Sequence, residues 1–263
     1  MEIAGYIAAI LIGVSLGLIG GGGSILTVPV FVYFMNVHPV LATTYSLFVV
    51  GSCSLVGSAR AYRKKLIDFK VVGYFGLASL LAVFVVRRLV LPVIPAHLFT
   101  IGSVVVDKGV FLMVLFAILM LAASISMIKP NRHDAAAAHR PAGVLFLMLQ
   151  GLLIGAITGL LGAGGGFLII PALVLFSRLP MKIAVGSSLT IMAISSFFGF
   201  FSTLSHYNIN WLQLLLFTAI AVTGIFAGSA LSEKIPGQAL KKGFGWFVLA
   251  IGLFILVKEL FFP

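Results

Sequence analysis

Apolar residues in this chain neither alternate nor recur at helical intervals between polar ones. They come in long unbroken runs separated by short polar stretches. Runs at 3–19, 24–35, 41–59, 70–86, 108–128, 143–161, 166–177, 183–205, 211–231 and 243–261 each predict a helix. Several reach the roughly 20 residues that a helix needs to cross the hydrocarbon of a bilayer. A membrane β-barrel would show alternating polar and apolar positions instead. The stretch 88–106 is apolar too, but Pro92 and Pro95 interrupt it, and Arg87, Arg88, His97 and Asp107 lie in or beside it. It reads as a loop or an interfacial piece. Only Lys129 to Pro141 forms a long polar connection, dividing a first repeat (1–128) from a second (142–263).

The two halves are copies. Adding 142 to a first-half number gives its partner without a gap from Gly17 to Leu98. Gly20, Gly22 and Gly23 map onto Gly162, Gly164 and Gly165; Pro29 maps onto Pro171, Ser54 onto Ser196, and Gly57 onto Gly199. The register then slips by eight, so that Lys108-Gly109 meets Lys242-Gly243. Apolar composition alone scatters matches of Leu and Val; it does not align glycine clusters and a proline.

Composition sharpens the picture. The chain has 263 residues, of which 61% are apolar and 9% charged; a soluble domain carries about 25% charged residues. The mean hydropathy is +1.23. These values exclude a soluble enzyme, a disordered tail and a secreted disulfide scaffold, and the single cysteine, Cys53, allows no internal disulfide. The net charge of +11 does not form one soluble patch, so no nucleic-acid partner is expected. Thirteen of the 17 basic residues fall in four loops, at 60–70, 129–140, 178–182 and 234–242. With five segments per half, all four lie on one face, which should be cytoplasmic. The basic loop at 60–70 corresponds by repeat to the neutral Ser205-His206-Tyr207-Asn208 turn, so its copy lies on the opposite face. The expected fold is therefore an all-α integral membrane protein. It has two inverted-topology repeats of about five helical segments each, an arrangement common among transporters. Met1 to Gly17 lacks a basic start, so no cleavable leader is expected.

The glycine runs Gly20-Gly21-Gly22-Gly23-Ser24 and Gly162-Ala163-Gly164-Gly165-Gly166 each separate an apolar run of about 17 residues from one of about 12. The shorter run spans only about 18 Å. Each pair is expected to enter the membrane, break at the glycines near the midplane and return. The break frees backbone N–H groups at the start of a short helix, where the helix dipole favours an anion. Gly21, Gly22, Gly23, Ser24, Gly164, Gly165 and Gly166 are thus candidate substrate ligands; close helix packing through small residues is the alternative. No Lys-Ser or Lys-Thr follows either run, as a nucleotide phosphate loop requires. Just downstream, Thr43, Thr44 and Ser46, with Ser187, Ser188 and Thr190 in the second half, offer neutral hydroxyl donors suited to an oxyanion that must also leave. Capping and packing are their alternative roles.

The pattern Gly-x-Gly-Gly-Gly-x-x-x-x-Pro (Gly162 to Pro171), then Ala-Val-Gly-Ser-Ser-Leu (Ala184 to Leu189), then Asn-Ile-Asn-Trp (Asn208 to Trp211) resembles the sulfite exporter TauE/SafE family. Gly20 to Pro29, Ala42 to Leu47 and Leu66 to Phe69 repeat it, with Tyr45 where the family usually has Thr. The resemblance implies a multi-pass bacterial inner-membrane transporter of sulfite or organosulfonates, with a small anionic substrate and the lipid bilayer as its partners.

Asp68 and Asn210 stand at equivalent positions before the helices at 70 and 211, where N-capping is the expected role; proton coupling by Asp68 is the sharper alternative. All six acidic residues lie at segment ends. Ion-coupled carriers usually keep a carboxylate inside the membrane, so potential-driven export is expected. A potential supplies about 2.3 kcal/mol per charge per 100 mV, driving anions out of a negative interior. Importers and ion-coupled carriers of other anions remain as rivals. Arg60, Arg87 and Arg88 are candidates for an anion funnel, with snorkelling as their alternative. The five histidines show no metal spacing, and no cofactor is expected. A membrane-embedded enzyme would need a buried nucleophile with a base, or paired aspartates, and neither is evident. Cys53 is the one opening for sulfur chemistry, and burial as a small apolar side chain is its commoner role.

Overall fold

A computed structural model describes residues 2–21, 23–37, 39–90, 93, 97–101, 104–128, 143–161, 166–203 and 209–261. The first half gives α1 (Glu2–Ile19), α2 (Gly23–Tyr33), α3 (Pro39–Arg63), α4 (Phe69–Val85, prolonged by a π turn at Val86–Val90) and α5 (Lys108–Ile128). The second half gives α6 (Val144–Leu161), α7 (Gly166–Pro171, prolonged by a π turn at Ala172–Phe176), α8 (Met181–Thr203), α9 (Trp211–Lys234) and α10 (Gly237–Phe261). The proline-broken stretch after α4 includes a short antiparallel hairpin, His97–Ile101 paired with Val104–Asp107. Otherwise the described chain is helical. Among the described residues, five helices (α3, α4, α8, α9 and α10) are long and apolar enough to cross a membrane. Large apolar side chains such as Leu77, Leu145 and Leu212 are exposed on the outside of the bundle, as they are where lipid is the solvent.

The duplication holds at the level of single bonds. Helix α1 begins and ends 142 residues before α6, and α2 matches α7 with its π turn. After α2 the Val37 amide donates to the Phe31 carbonyl at 2.9 Å, and after α7 the Leu179 amide donates to that of Leu173 at 3.1 Å. In both turns a non-glycine residue takes the left-handed conformation, Asn36 with φ 52° and Arg178 with φ 53°. Such a residue ends a helix by turning its last carbonyls toward new donors.

The halves interlock rather than stand side by side. Helix α1 packs on α9 and α4 on α6, so each half gives one helix to the other. Both contacts are close because small residues let backbones touch. A side chain at Gly13 would strike the carbonyl of Ala221, and one at Gly155 would strike that of Ser79; both members of the two pairs are related by the 142-residue offset. The remaining equivalent helices pair with each other, α3 with α8 and α5 with α10. Phe48, early in α3, meets Phe197 and Phe200, late in α8. Ser58, late in α3, bonds Thr190, early in α8. The two helices therefore run antiparallel. Fully buried Phe31, Tyr45, Phe75 and Phe217 fill the core around this pair.

Candidate functional site

Helices α1 and α2 form a tight hairpin. Gly5 near the start of α1 lies against Met35 just beyond α2, and Gly23 at the start of α2 lies against Ile12 and Leu16. The connection turns at Gly20, whose φ of 77° is a conformation open to glycine. Any Cβ on Gly20 would also meet Val185 of α8. The Ser24 hydroxyl donates to the Gly21 carbonyl at 2.7 Å and so braces the bend from inside. The two glycine breaks come together: a methyl group on Gly166 would lie 3.0 Å from the Gly21 Cα. Gly22, Gly164 and Gly165 lie outside the described residues.

The hydroxyl clusters are largely engaged with protein. Thr44 and Ser46 are buried in α3, and Thr43 is half-buried there. Ser188 donates to the Val185 carbonyl at 2.9 Å and Thr190 to that of Gly186 at 3.1 Å. Ser187 accepts a 2.9 Å hydrogen bond from the Asp68 amide. The equivalent bond in the other copy runs from the Asn210 amide to the Tyr45 hydroxyl at 2.7 Å. The Tyr45 that departs from the expected Thr thus reaches the same backbone position as its serine counterpart. Asp68 and Asn210 are N-caps: the Asp68 carboxylate accepts from the amides of Lys70 and Val71, and the Asn210 side chain accepts from Gln213.

Where α3 ends and α8 begins, a cavity opens between α1, α3, α8, α9 and α10. About 100 Å³ of it admits the centres of water molecules. Gly57 and Leu189 line its inner part, while Arg60, Lys64 and Lys182 stand toward the helix ends. Among the described residues no carboxylate lines it, and the field of the cations that do favours anions. Arg60 is held in place: Nη1 donates to the Phe226 carbonyl at 3.2 Å, and the guanidinium lies 5.4 Å from the centre of the Phe226 ring. Basic residues 60–65, 182 and 234–242 gather at this end of the bundle, and the end of α5 joins them through Ile128 against Gly245. The expectation of one basic face is met for these loops, whereas residues 129–142 lie outside the described residues. Arg60 lines the cavity, Arg88 sits exposed at the opposite end of α4, and the Arg87 side chain lies outside the described ones.

Lys64 and Lys182, loop charges in the linear pattern, line the cavity beside Arg60. Ser58, bonded to Thr190 at 2.7 Å, carries no signal within a single copy of the repeat. Its equivalent is Phe200 and that of Thr190 is Phe48, and these two rings meet at 5.0 Å. Subtracting one copy from the other would have found both pairs. Among the described residues no group of His, Cys, Asp and Glu could hold a metal ion.

A bundle of lipid-facing helices with a duplicated, interlocked core and a cationic cavity at one end defines a multi-pass membrane protein of the transporter class. The family model for sulfite exporter TauE/SafE matches residues 6–255, and the chain belongs to that family. It is 32% identical over 258 residues to a "probable membrane transporter protein" of Xylella fastidiosa, covering 95% of this chain and 92% of the relative. It is 26% identical over 283 residues to the "probable membrane transporter protein YunE" of Bacillus subtilis, covering 97% and 99%. A "probable membrane transporter protein" of Haemophilus influenzae is 26% identical over 271 residues, covering 94% and 95%. No solved structure matches the chain.

Proposed function

We propose that this protein exports a small sulfur-containing oxyanion, sulfite or an organosulfonate, across the bacterial inner membrane, driven by the membrane potential. The observation that carries the reading is the cavity between α3 and α8, lined by Arg60, Lys64 and Lys182 and, among the described residues, by no carboxylate. Membership of the sulfite exporter family supports the substrate class. The basic end is the cytoplasmic end on the distribution of positive charge, so the cavity gathers anions from inside the cell. All six acidic residues lie at the ends of apolar segments, which favours movement down the electrical gradient without a coupling proton.

The repeats are of inverted topology on this reading. Equivalent helices α3 and α8 run antiparallel, and the pairs α1–α9 and α4–α6 exchange under the same offset. A twofold axis lying in the membrane plane accounts for both. The glycine junction, with Gly21, Gly22, Gly23 and Ser24 on one side and Gly164, Gly165 and Gly166 on the other, forms the backbone part of the substrate path. Thr43, Thr44, Ser46, Ser187, Ser188 and Thr190 flank it. Ser188 and Thr190 already give their protons to carbonyls, so they serve an anion only by exchanging those bonds.

Flux of sulfite and methanesulfonate into proteoliposomes under an imposed potassium diffusion potential tests the reading. Uptake should speed when the receiving side is made positive, reverse with the sign of the potential, and ignore a pH gradient. Flux that requires a pH gradient, or an absence of flux with both anions, would overturn it.

A further inference from the structure

Ser54 and Ser196 occupy equivalent positions in α3 and α8. Both are fully buried, at 0% exposure, and among the described residues neither hydroxyl has a hydrogen-bond partner. A serine inside a helix can always give its proton to a carbonyl three or four residues back. Here Ser188, Thr158, Ser195 and Thr218 all do so. Ser54 and Ser196 leave that bond unmade, a costly state for a buried hydroxyl and one that alanine would avoid. The same cost appears twice, at the same place in each copy.

Ser196 also lines a second cavity, with Ser79, Thr158, Ser195, Leu47 and Gly199 among its neighbours. About 20 Å³ of it admits the centres of water molecules, room for about one oxygen-sized group. Leu47 and Gly199 are the counterparts of Leu189 and Gly57 in the cationic cavity. The small cavity therefore holds the equivalent position on the other side of the α3–α8 crossing. Apart from Ser196, its polar groups are not duplicated: the counterparts of Ser79, Thr158 and Ser195 are Ala221, Leu16 and Cys53. Thr158 commits its proton to the Gly155 carbonyl and Ser195 to that of Met192. Of these three helical hydroxyls, Ser196 is the uncommitted donor.

We propose that the Ser196 cavity is the far-side half of the oxyanion path, with the Ser196 hydroxyl donating to an oxygen of the anion. This inference rests on the proposed anion transport. It divides the labour between charge and hydroxyl. Cations gather the anion on one side, and neutral hydroxyls hold it beyond the crossing, where a fixed charge would retain it. The pocket takes one oxygen as it stands and widens around the rest of the anion as the helices part.

The test compares Ser196→Ala with the wild-type protein in proteoliposomes and in detergent. Thr223→Ala, an exposed hydroxyl on α9, serves as control. Sulfite, methanesulfonate, nitrate and phosphate are the probes; flux gives KM, and thermal unfolding gives stability and anion binding. Loss of a hydrogen bond to a charged group should raise KM about tenfold or more in Ser196→Ala. The unfolding temperature without anion should hold or rise. A merely structural serine would lower that temperature and leave KM alone, and either result overturns the site. If sulfite and methanesulfonate do nothing while nitrate or phosphate is bound and Ser196→Ala weakens it, the site stands and the sulfur substrate falls. If no probe moves or shifts wild-type unfolding, both fall.

Discussion

The two ends of the α3–α8 pair have the same backbone and opposite chemistry. At the basic end Ser58 and Thr190 share a 2.7 Å hydrogen bond beside a cavity rimmed by Arg60, Lys64 and Lys182. At the other end the equivalent residues, Phe200 and Phe48, meet as rings 5.0 Å apart, with Trp211 packed edge-on against both. Duplication made two equivalent seams. One is polar and beside the larger cavity, and the other is aromatic. The backbones of the two ends match, and on the proposed function the direction offered to an anion is written in the side chains. On the proposed function, the aromatic seam is what must part for release.

Breaking the aromatic seam should have the largest effect. Phe200 is fully buried, and truncation of a buried Phe to Ala costs about 3–5 kcal/mol through lost burial and the cavity left behind. Phe200→Ala should lower the unfolding temperature markedly in detergent and raise passive anion leak in proteoliposomes. Ser58→Ala, at the polar counterpart, should do neither to a comparable degree. Equal losses at the two ends would mean that the aromatic cluster adds nothing beyond ordinary packing.

A second comparison asks whether the copies remain equivalent where their residues differ. The Asn210 amide donates to Tyr45 and the Asp68 amide to Ser187. Tyr45→Phe and Ser187→Ala each leave one loop amide without its acceptor, at a cost of about 1–3 kcal/mol wherever water cannot replace it. Chemical unfolding should give two losses of similar size. A large loss from one and none from the other would show that only that joint is closed to water.

Much of this architecture was legible before any coordinates. The 142-residue offset located both glycine breaks and both prolines, and apolar runs placed α5 and α6 to within a residue or so. Hydrophobic run length reports burial in lipid, and repeated glycines report close backbone contact, so both survive in a linear pattern. The capping roles of Asp68 and Asn210 were equally readable, because a cap is local. Partner choice was not. Nothing in the runs says that α1 leaves its own half to pack on α9, since any two lipid-facing helices look alike. The candidate hydroxyls Ser188 and Thr190 turned out to bond their own helix, whereas Ser54 and Ser196 do not. Sequence types those four residues alike; only rotamer and neighbour separate them.

The smallest expected effect on stability belongs to Arg60, which makes it the cleanest probe of the charged end. Its guanidinium bonds the Phe226 carbonyl and lies over the Phe226 ring, and the residue is only half-buried. Such contacts are worth about 1 kcal/mol or less at partly exposed sites, so Arg60→Gln should barely move the unfolding temperature. Its effect on flux has a different origin. Removing one of the three cations lining the cavity weakens the field that raises the local anion concentration, and salt screens that field over about 10 Å at 0.1 M. Flux through Arg60→Gln should therefore fall several-fold at low ionic strength and converge on the wild-type value as an inert salt is added. Arg88→Gln, at the opposite end of α4, should leave anion capture at the basic end unchanged at every salt concentration. A defect in Arg60→Gln that persists in high salt would mean that Arg60 touches the anion directly. The polar end would then be a binding site, and the contrast with the aromatic end would rest on contact chemistry instead of field.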